Sequence, residues 1–488
     1  MTTPAPQPAP YAGRWVAMAV LLMAGFMNLV DVSIVNVALP SMQRAFGASD
    51  SQIEWVVAAF ILVFALGLLP FGRLGDILGR RRMFIAGVAV FTLGSALCGL
   101  APGMGALIGA RVLQGVGGAM MTPQTLAIVP ALFPAHERGR AFSLFGLTAG
   151  LATVSGPLIG GLLIEADLFG LGWRPIFLVN VPVGLLAIVL ALRYVPDLPG
   201  AAGLRNDFVG IGLAALALLL LIAPLIEGRQ FGWPAWCFWA MAASVPAAAL
   251  FVRWQRRQAA RDAPQLLPAS LIGNRGFVVG MTAVGLLFSG IPGFFLVLAL
   301  YLQNGYGLTP LQSGLTTLPF SAGVLGISLL SARFGLRWPR RRITAGALML
   351  AAAMIWLRIA VLGTDAAVAW SHFAPALLLG GLGLGVAVGP MFQTALANVA
   401  SRDSGSGSGA LQSFQQVGGA FGVAVMGQIF FSRLAAGLAG GDAHAAYAAA
   451  FASAVIYNGA AFLAVAAMVR LLPRPPALAA GPGAIDVY

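Results

Sequence analysis

Apolar stretches of about 20 residues, the length that crosses a bilayer as a helix, recur along this chain from Trp15 to beyond Tyr457. A polypeptide with that pattern has few folds open to it. Within lipid every backbone N–H and C=O needs a partner inside the protein, and only helices and closed barrels supply one. These runs are too long and too uniformly apolar for barrel strands, so the expected fold is an all-α polytopic membrane protein. Composition agrees: 59% of the 488 residues are hydrophobic and 9% are charged, more apolar surface than a water-soluble domain can hide.

Fourteen spans are expected, at roughly 15–38, 53–72, 83–101, 105–127, 141–163, 174–194, 207–225, 233–252, 276–300, 311–332, 342–362, 371–394, 409–431 and 447–469. The net charge of +13 would suggest nucleic acid in a soluble protein. Here all but six of the 28 basic residues fall on the side that holds both termini; the exceptions are Arg44, Arg174, Arg229, Arg433 and, within spans, Arg111 and Arg358. That asymmetry is a topology signal, placing both termini in the cytoplasm of a multi-pass protein of the plasma (inner) membrane, with lipid and not nucleic acid as its surroundings. Every basic residue is arginine. The phosphate-binding loop that needs Gly-Lys-Ser/Thr is therefore absent, and so is any lysine Schiff base. Cys98 and Cys237 fall within spans with no ligand cluster around them and read as ordinary buried thiols. The first apolar run is long for a cleaved signal peptide and is expected to stay as a helix.

Shifting the sequence by 260 residues brings its second-span surroundings back without a gap. Phe46-Gly47 meets Tyr306-Gly307, Gln52 meets Gln312, Arg73 meets Arg333, Gly75 meets Gly335, and Arg80, Arg81 and Arg82 meet Arg340, Arg341 and Arg342. The organisation this implies is a tail (1–14), a six-helix half (15–195), an inserted two-helix hairpin (196–252), a linker (253–275), a second six-helix half (276–470) and a tail (471–488). Two such halves about an axis along the membrane normal are a transporter arrangement. The run SRDSGSGSG (401–409) reads as a flexible turn.

GRLGDILGRRR (72–82) joins spans 2 and 3. Its glycines allow a tight turn and close helix approach. Asp76 is suited to accept hydrogen bonds from a neighbouring helix N-terminus or to pair with arginine. This segment resembles the signature loop of the major facilitator superfamily. RVLQGVGGA (111–119) resembles that superfamily's fourth-span motif, and GLTAGLATVSGPLIGG (146–161) its fifth-span antiporter motif. DVSIVNVALP (31–40), WRPIFLVNVPVG (173–184) and FQQVGGAFGVAV (414–425) resemble stretches of the fourteen-span drug:proton antiporter family. The resemblance implies a major facilitator fold and a gating role for Gly72, Asp76, Gly79, Arg80, Arg81 and Arg82. It also implies an antiporter helix marked by Gly146, Gly150, Gly156, Pro157 and Gly160. Two positions depart from it: Leu336 stands where the repeat puts an equivalent of Asp76, and Gln415 where relatives often carry a base.

One carboxylate stands out, Asp31, inside the first apolar run. It lies about seven residues before the end of span 1 and Arg111 about six after the start of span 4, which at 1.5 Å per residue puts both roughly 9–11 Å below the outer edge. An unpaired charge at such depth costs about 2.5–3.5 kcal/mol, so the two are expected to share a cavity. Burial opposes the charge on Asp31 and the guanidinium supports it, which suits a proton-coupling group; Gln114, one turn from Arg111, is placed to orient the pair. The competing account is a static ion pair that sets helix register. Asn36, Glu54, Tyr301, Gln303 and Gln415 are candidate substrate contacts.

The function these readings favour is a proton-coupled exporter of small amphipathic compounds (drugs, dyes or antibiotics) working by alternating access. The alternative is a major facilitator carrier for another metabolite or lipid, possibly in the uptake direction. An enzyme would need a nucleophile–base pair or a metal cluster in the membrane, and the sequence offers neither. No cofactor or metal is expected, and helix bundles of this kind can work as monomers.

Overall fold

The computed structural model describes residues 11–472 except 202, 229–230, 335–337, 364–371, 398 and 439–441. For helix residues 40, 50, 51, 54, 135, 136, 143, 146, 149, 153, 154, 157, 310, 311 and 328–334 it describes the backbone alone. The regular structure of the described residues is all helical: α1 (Arg14–Phe46), α2 (Asp50–Leu78), α3 (Arg80–Gly99), α4 (Met104–Leu132), α5 (Ala135–Glu165), α6 (Pro175–Leu178), α7 (Asn180–Tyr194), α8 (Phe208–Glu227), α9 (Ala235–Ala260), α10 (Ala269–Ile272), α11 (Arg275–Ser289), α12 (Ile291–Leu300), α13 (Pro310–Thr316), α14 (Leu318–Phe334), α15 (Pro339–Leu362), α16 (Ala374–Leu396), α17 (Ser404–Leu438) and α18 (Ala443–Met468). Among the described residues, 12 helical segments are long and apolar enough to cross a membrane. The regions expected as the fifth and tenth spans are helical too, as α5 and as the α13–α14 pair.

The sequence repeat is built as a repeated local structure. Gly47 and Gly307 both take a left-handed backbone, with φ of 58° and 68°, a conformation glycine adopts at little cost. Ser49 and Thr309 follow as N-caps of α2 and α13. Each hydroxyl accepts from the N–H of Gln52 or Gln312, whose side chain returns to the cap N–H. This reciprocal box satisfies two of the donors that a helix start leaves open.

The helices pack as two groups. In the first, α1 lies on α5 and α7, and α4 on α2 and α3; in the second, α15 lies on α16 and α18, and α17 on α11 and α18. The groups meet where α2 and α4 pack on α17 and where α5 packs on α14 and α16. Helices α8 and α9 pack on each other, and α8 also touches α2 and α17, one helix from each group.

One expectation is corrected. The SGSGSG run is the buried first turns of α17, not a flexible turn; only Ser401–Asp403 precedes it, as one 3-10 turn. Glycine and serine are poor helix formers in isolation, and here tertiary contacts override that preference. The span expected at 276–300 is one membrane-length helical segment, Arg275–Gly305, with a single-residue turn at Gly290 between α11 and α12 and a π-helical end over Tyr301–Gly305. Arg358, one of the two arginines within spans, donates to the Ala452 carbonyl of α18. Leu336 lies outside the described residues.

Candidate functional site

Four helices place polar side chains at one point inside the first group. Helix α1 brings Asp31, α3 brings Ser95, α4 brings Arg111 and Gln114, and α7 brings Asn180; all five residues are buried. Arg111 and Gln114 are three apart, so they share one face of α4. Arg111 donates from Nη1 to Asp31 Oδ2 and to Gln114 Oε1, at 2.6 Å in each case. The amides of Gln114 and Asn180 both donate to Asp31 Oδ1, at 2.7 and 3.0 Å. Gln114 also donates to Ser95 Oγ at 2.7 Å. Arg111 Nε donates to the Val56 carbonyl of α2 at 2.9 Å, and its guanidinium lies 4.3 Å from the Phe60 ring centroid.

Among the described residues Asp31 thus has three donors and no acceptor, the partner set of an ionised carboxylate. Short contacts between buried charged groups are the strong kind, and each charge here has its compensation. The depth argument placed Asp31 and Arg111 at one level, and the structure has them in direct contact with Gln114 between their side chains. Asn180, Ser95, Phe60 and the Val56 carbonyl were missed. Asn180 carried a signal, an amide inside the apolar stretch FLVNVPVG. Ser95 carried none, because a serine within a helix commonly bonds its own backbone.

A second polar centre joins the two groups at the arginine-rich face. Asp76, near the end of α2, accepts from the N–H of Gly405 and of Ser406, at 2.8 Å each, and from the Ser406 hydroxyl at 3.1 Å. A carboxylate at the first turn of α17 satisfies orphan donors and meets the positive end of the helix dipole. Arg80 pairs with Asp76 at 3.1 Å and also donates to the Ser401 carbonyl. Arg73 pairs with Asp403 at 3.0 Å. The glycines make this approach possible: a Cβ on Gly72 would sit 2.4 Å from the Gly405 carbonyl oxygen, and one on Gly409 2.5 Å from that of Leu68. Gly79, at φ 102°, turns the chain from α2 into α3. Arg81 donates to the Leu192 carbonyl, and Arg82 is exposed. Asp403 and Ser406 escaped sequence reading because their segment looked unstructured.

Helix α5 uses its glycines on two sides. Cβ atoms at Gly156 and Gly160 would meet Ser33 Oγ at 1.8 Å and Ile34 at 2.8 Å, both on α1. Gly150 faces Val324 of α14, in the other group, and the Ser321 hydroxyl donates to its carbonyl at 3.0 Å. The side-chain surroundings of Gly146 and Pro157 lie outside the description, as does the Glu54 side chain.

The remaining candidates are dispersed. Asn36 is exposed and bonds the Val32 carbonyl of its own helix at 3.1 Å. Tyr301 is buried in the second group, stacked on Phe451 with centroids 5.0 Å apart and bonded to the Tyr306 hydroxyl at 3.1 Å. Gln303 lies in the π-helical turn and Gln415 on α17, both partly buried. Neither cysteine is in a disulfide; Cys98 borders the Asp31 centre, with its sulfur 3.8 Å from Gln114 Oε1.

Two packed helix groups, a buried charge centre in one and a polar junction between them make up an all-helical membrane protein. Comparison with known proteins gives the family. The Major Facilitator Superfamily model matches residues 21–423, and the chain belongs to that superfamily. It is 39% identical over 428 residues to the "Probable actinorhodin transporter" of Streptomyces coelicolor, covering 88% of this chain and 74% of that protein. It is 36% identical over 463 residues to the puromycin resistance protein pur8 of Streptomyces alboniger, covering 94% and 90%. Against the cephamycin export protein CmcT of Amycolatopsis lactamdurans the identity is 33% over 483 residues, covering 96% and 95%. Among solved structures, the fold is shared with the proton:xylose symporter XylE, at TM-score 0.66 and 16% identity over 95% of this chain and 97% of that one.

Proposed function

We propose that this protein is a proton-coupled exporter of small amphipathic compounds, drugs, dyes or antibiotics, that works by alternating access. The observation that carries the coupling is Asp31: a fully buried carboxylate whose three hydrogen-bond partners are all donors, one of them Arg111. Adding a proton to that carboxylate turns an acceptor into a donor facing donors, so proton uptake has to loosen at least one contact among α1, α4 and α7. Arg111 then has less to hold it in place, and α1 and α4 are free to shift relative to each other. Moving one charge through 100 mV supplies about 2.3 kcal/mol, enough for proton exchange to sustain a solute gradient without ATP.

The relatives named for antibiotic export or resistance support the direction and the cargo. In this reading α1–α7 and α11–α18 are the two six-span halves, and α8–α9 is the inserted hairpin that completes fourteen spans. The arginine-rich face is cytoplasmic, in the plasma (inner) membrane, with both termini on that side. The Asp76 junction is the latch that keeps the cytoplasmic side shut, and the α5 glycines let the antiporter helix move against α1 and α14. The test is uptake of a fluorescent dye into inverted vesicles with an imposed pH gradient. Asp31→Asn is expected to abolish proton-driven uptake while the protein still inserts. Full activity with unchanged pH dependence would overturn the coupling role.

A further inference from the structure

A cavity of about 410 Å³ lies beside the Asp76 junction, walled by both helix groups. Its volume is within the range of small-molecule sites. Arg138 and Phe142 of α5 line one side; Gln393 and Leu396 of α16 and Ser404 and Ser408 of α17 line the other. Two side chains point to an occupant. Ser408 is fully buried, and its hydroxyl has no hydrogen-bond partner among the described residues. Buried polar atoms without partners are rare and call for one. Arg138 commits Nε and Nη2 to the carbonyls of Phe133 and Pro130 at the end of α4, at 3.0 and 2.9 Å, which leaves Nη1 available.

The charge balance selects the chemistry. Among the described residues, no carboxylate lines the cavity. The acids nearest in sequence to its walls are engaged elsewhere, Glu137 with Arg14 at 2.6 Å and Asp403 with Arg73 at 3.0 Å. The Ser404 hydroxyl is engaged with the Ala127 carbonyl at 3.4 Å, which leaves the Arg138 guanidinium and the Ser408 hydroxyl beside an apolar wall of Phe142 and Leu396, an arrangement complementary to an anion carried on an apolar body. We propose that this cavity binds a small amphipathic carboxylate, its headgroup toward Arg138 and the Ser408 hydroxyl, and that occupancy holds the arginine-rich face closed. The locking follows from position. An occupant touches both groups only while they are together, and a ligand shifts an equilibrium toward the state it binds better.

The experiment titrates the purified full-length protein with 1-naphthoate and with neutral 1-naphthamide. Naphthoate is expected to bind about tenfold more tightly, the worth of one hydrogen bond to a charged group. Arg138→Gln should erase the difference. Equal binding of the two probes, or an undiminished preference in Arg138→Gln, overturns the proposal. Leu396→Trp, which fills the cavity without removing a polar contact, should also abolish naphthoate binding; unchanged binding there places the probe elsewhere and overturns it too. Closure is read from a cysteine at Gln412, whose amide reaches the Thr122 carbonyl of the other group at 3.2 Å. Both native cysteines are buried, so background labelling is low. Naphthoate should slow maleimide labelling of Gln412→Cys several-fold and naphthamide should not; labelling indifferent to bound naphthoate overturns the lock.

Discussion

The two helix groups solve one problem in different ways. In the first, the opening helix α1 is continuous and carries Asp31 in its interior. In the second, the 260-residue shift puts Ile291 at the matching place, and the helix there is broken at Gly290. An asparagine on the last long helix of each group donates to that place: Asn180 to Asp31 Oδ1 at 3.0 Å, and Asn458 to the Gly290 carbonyl at 2.5 Å. Tyr457 adds a bond to Ser289 Oγ at 2.8 Å. The first group thus holds a charge and the second holds a bend, each stabilised by the same amide. The difference teaches where a charge has to be compensated. A backbone carbonyl freed by a helix break stays neutral at any pH, whereas a carboxylate beside a guanidinium changes the balance of its neighbourhood with one proton.

The largest expected effect tests that contrast directly. Asp31→Ala leaves Arg111 buried without its counter-charge, which costs about 3–5 kcal/mol, visible as a lowered thermal unfolding midpoint. The neutral double variant Asp31→Asn with Arg111→Gln should recover most of that stability and none of the proton-driven transport. Recovery of both would reduce the pair to a structural element and erase the functional difference between the groups.

The junction comes next. Asp76→Ala strands the first N–H groups of α17 and releases Arg80, a loss of about 1–3 kcal/mol from the closed arrangement. Faster labelling of Gln412→Cys together with slower transport and normal insertion is the expected signature; unaltered labelling would mean the glycine contacts alone hold the face shut. For the packing of α5, Gly156→Ala drives a methyl into Ser33 and should cost about 1–3 kcal/mol. Gly161→Ala, which meets nothing within 4 Å, serves as the neutral control. A matched loss at both glycines would show that helix flexibility, not contact with α1, is what matters.

The smallest effect is expected in the second group. Tyr457→Phe removes one hydrogen bond between neutral partners, worth about 0.5–1.5 kcal/mol, and should leave the pH dependence of transport as it was. A shifted pH profile in that variant would mean that the neutral group also takes part in coupling.

Hydropathy and the capping signals Ser49-x-x-Gln52 and Thr309-x-x-Gln312 are local or periodic properties, so an all-helical membrane fold and these two helix starts could be read directly from the residues. The pairing of Asp31 with Arg111 was legible as well, because two charges at one depth in lipid have few other ways to be compensated. What the chain order could not reveal were partners supplied from far away. Asn180 completes the Asp31 shell across 149 residues, and Gly405 caps on Asp76 across 329. The run SGSGSG has the composition of a linker and becomes helix only because a carboxylate meets its first N–H groups and a glycine face of α2 lies against it. Sequence by itself determined that this chain is a bundle of membrane helices with one deep charge and its counter-charge. Which carbonyls, amides and helix ends surround that charge, and which segment closes one face, were decided by tertiary packing, since hydrogen bonds act over about 3 Å and do not depend on distance along the chain.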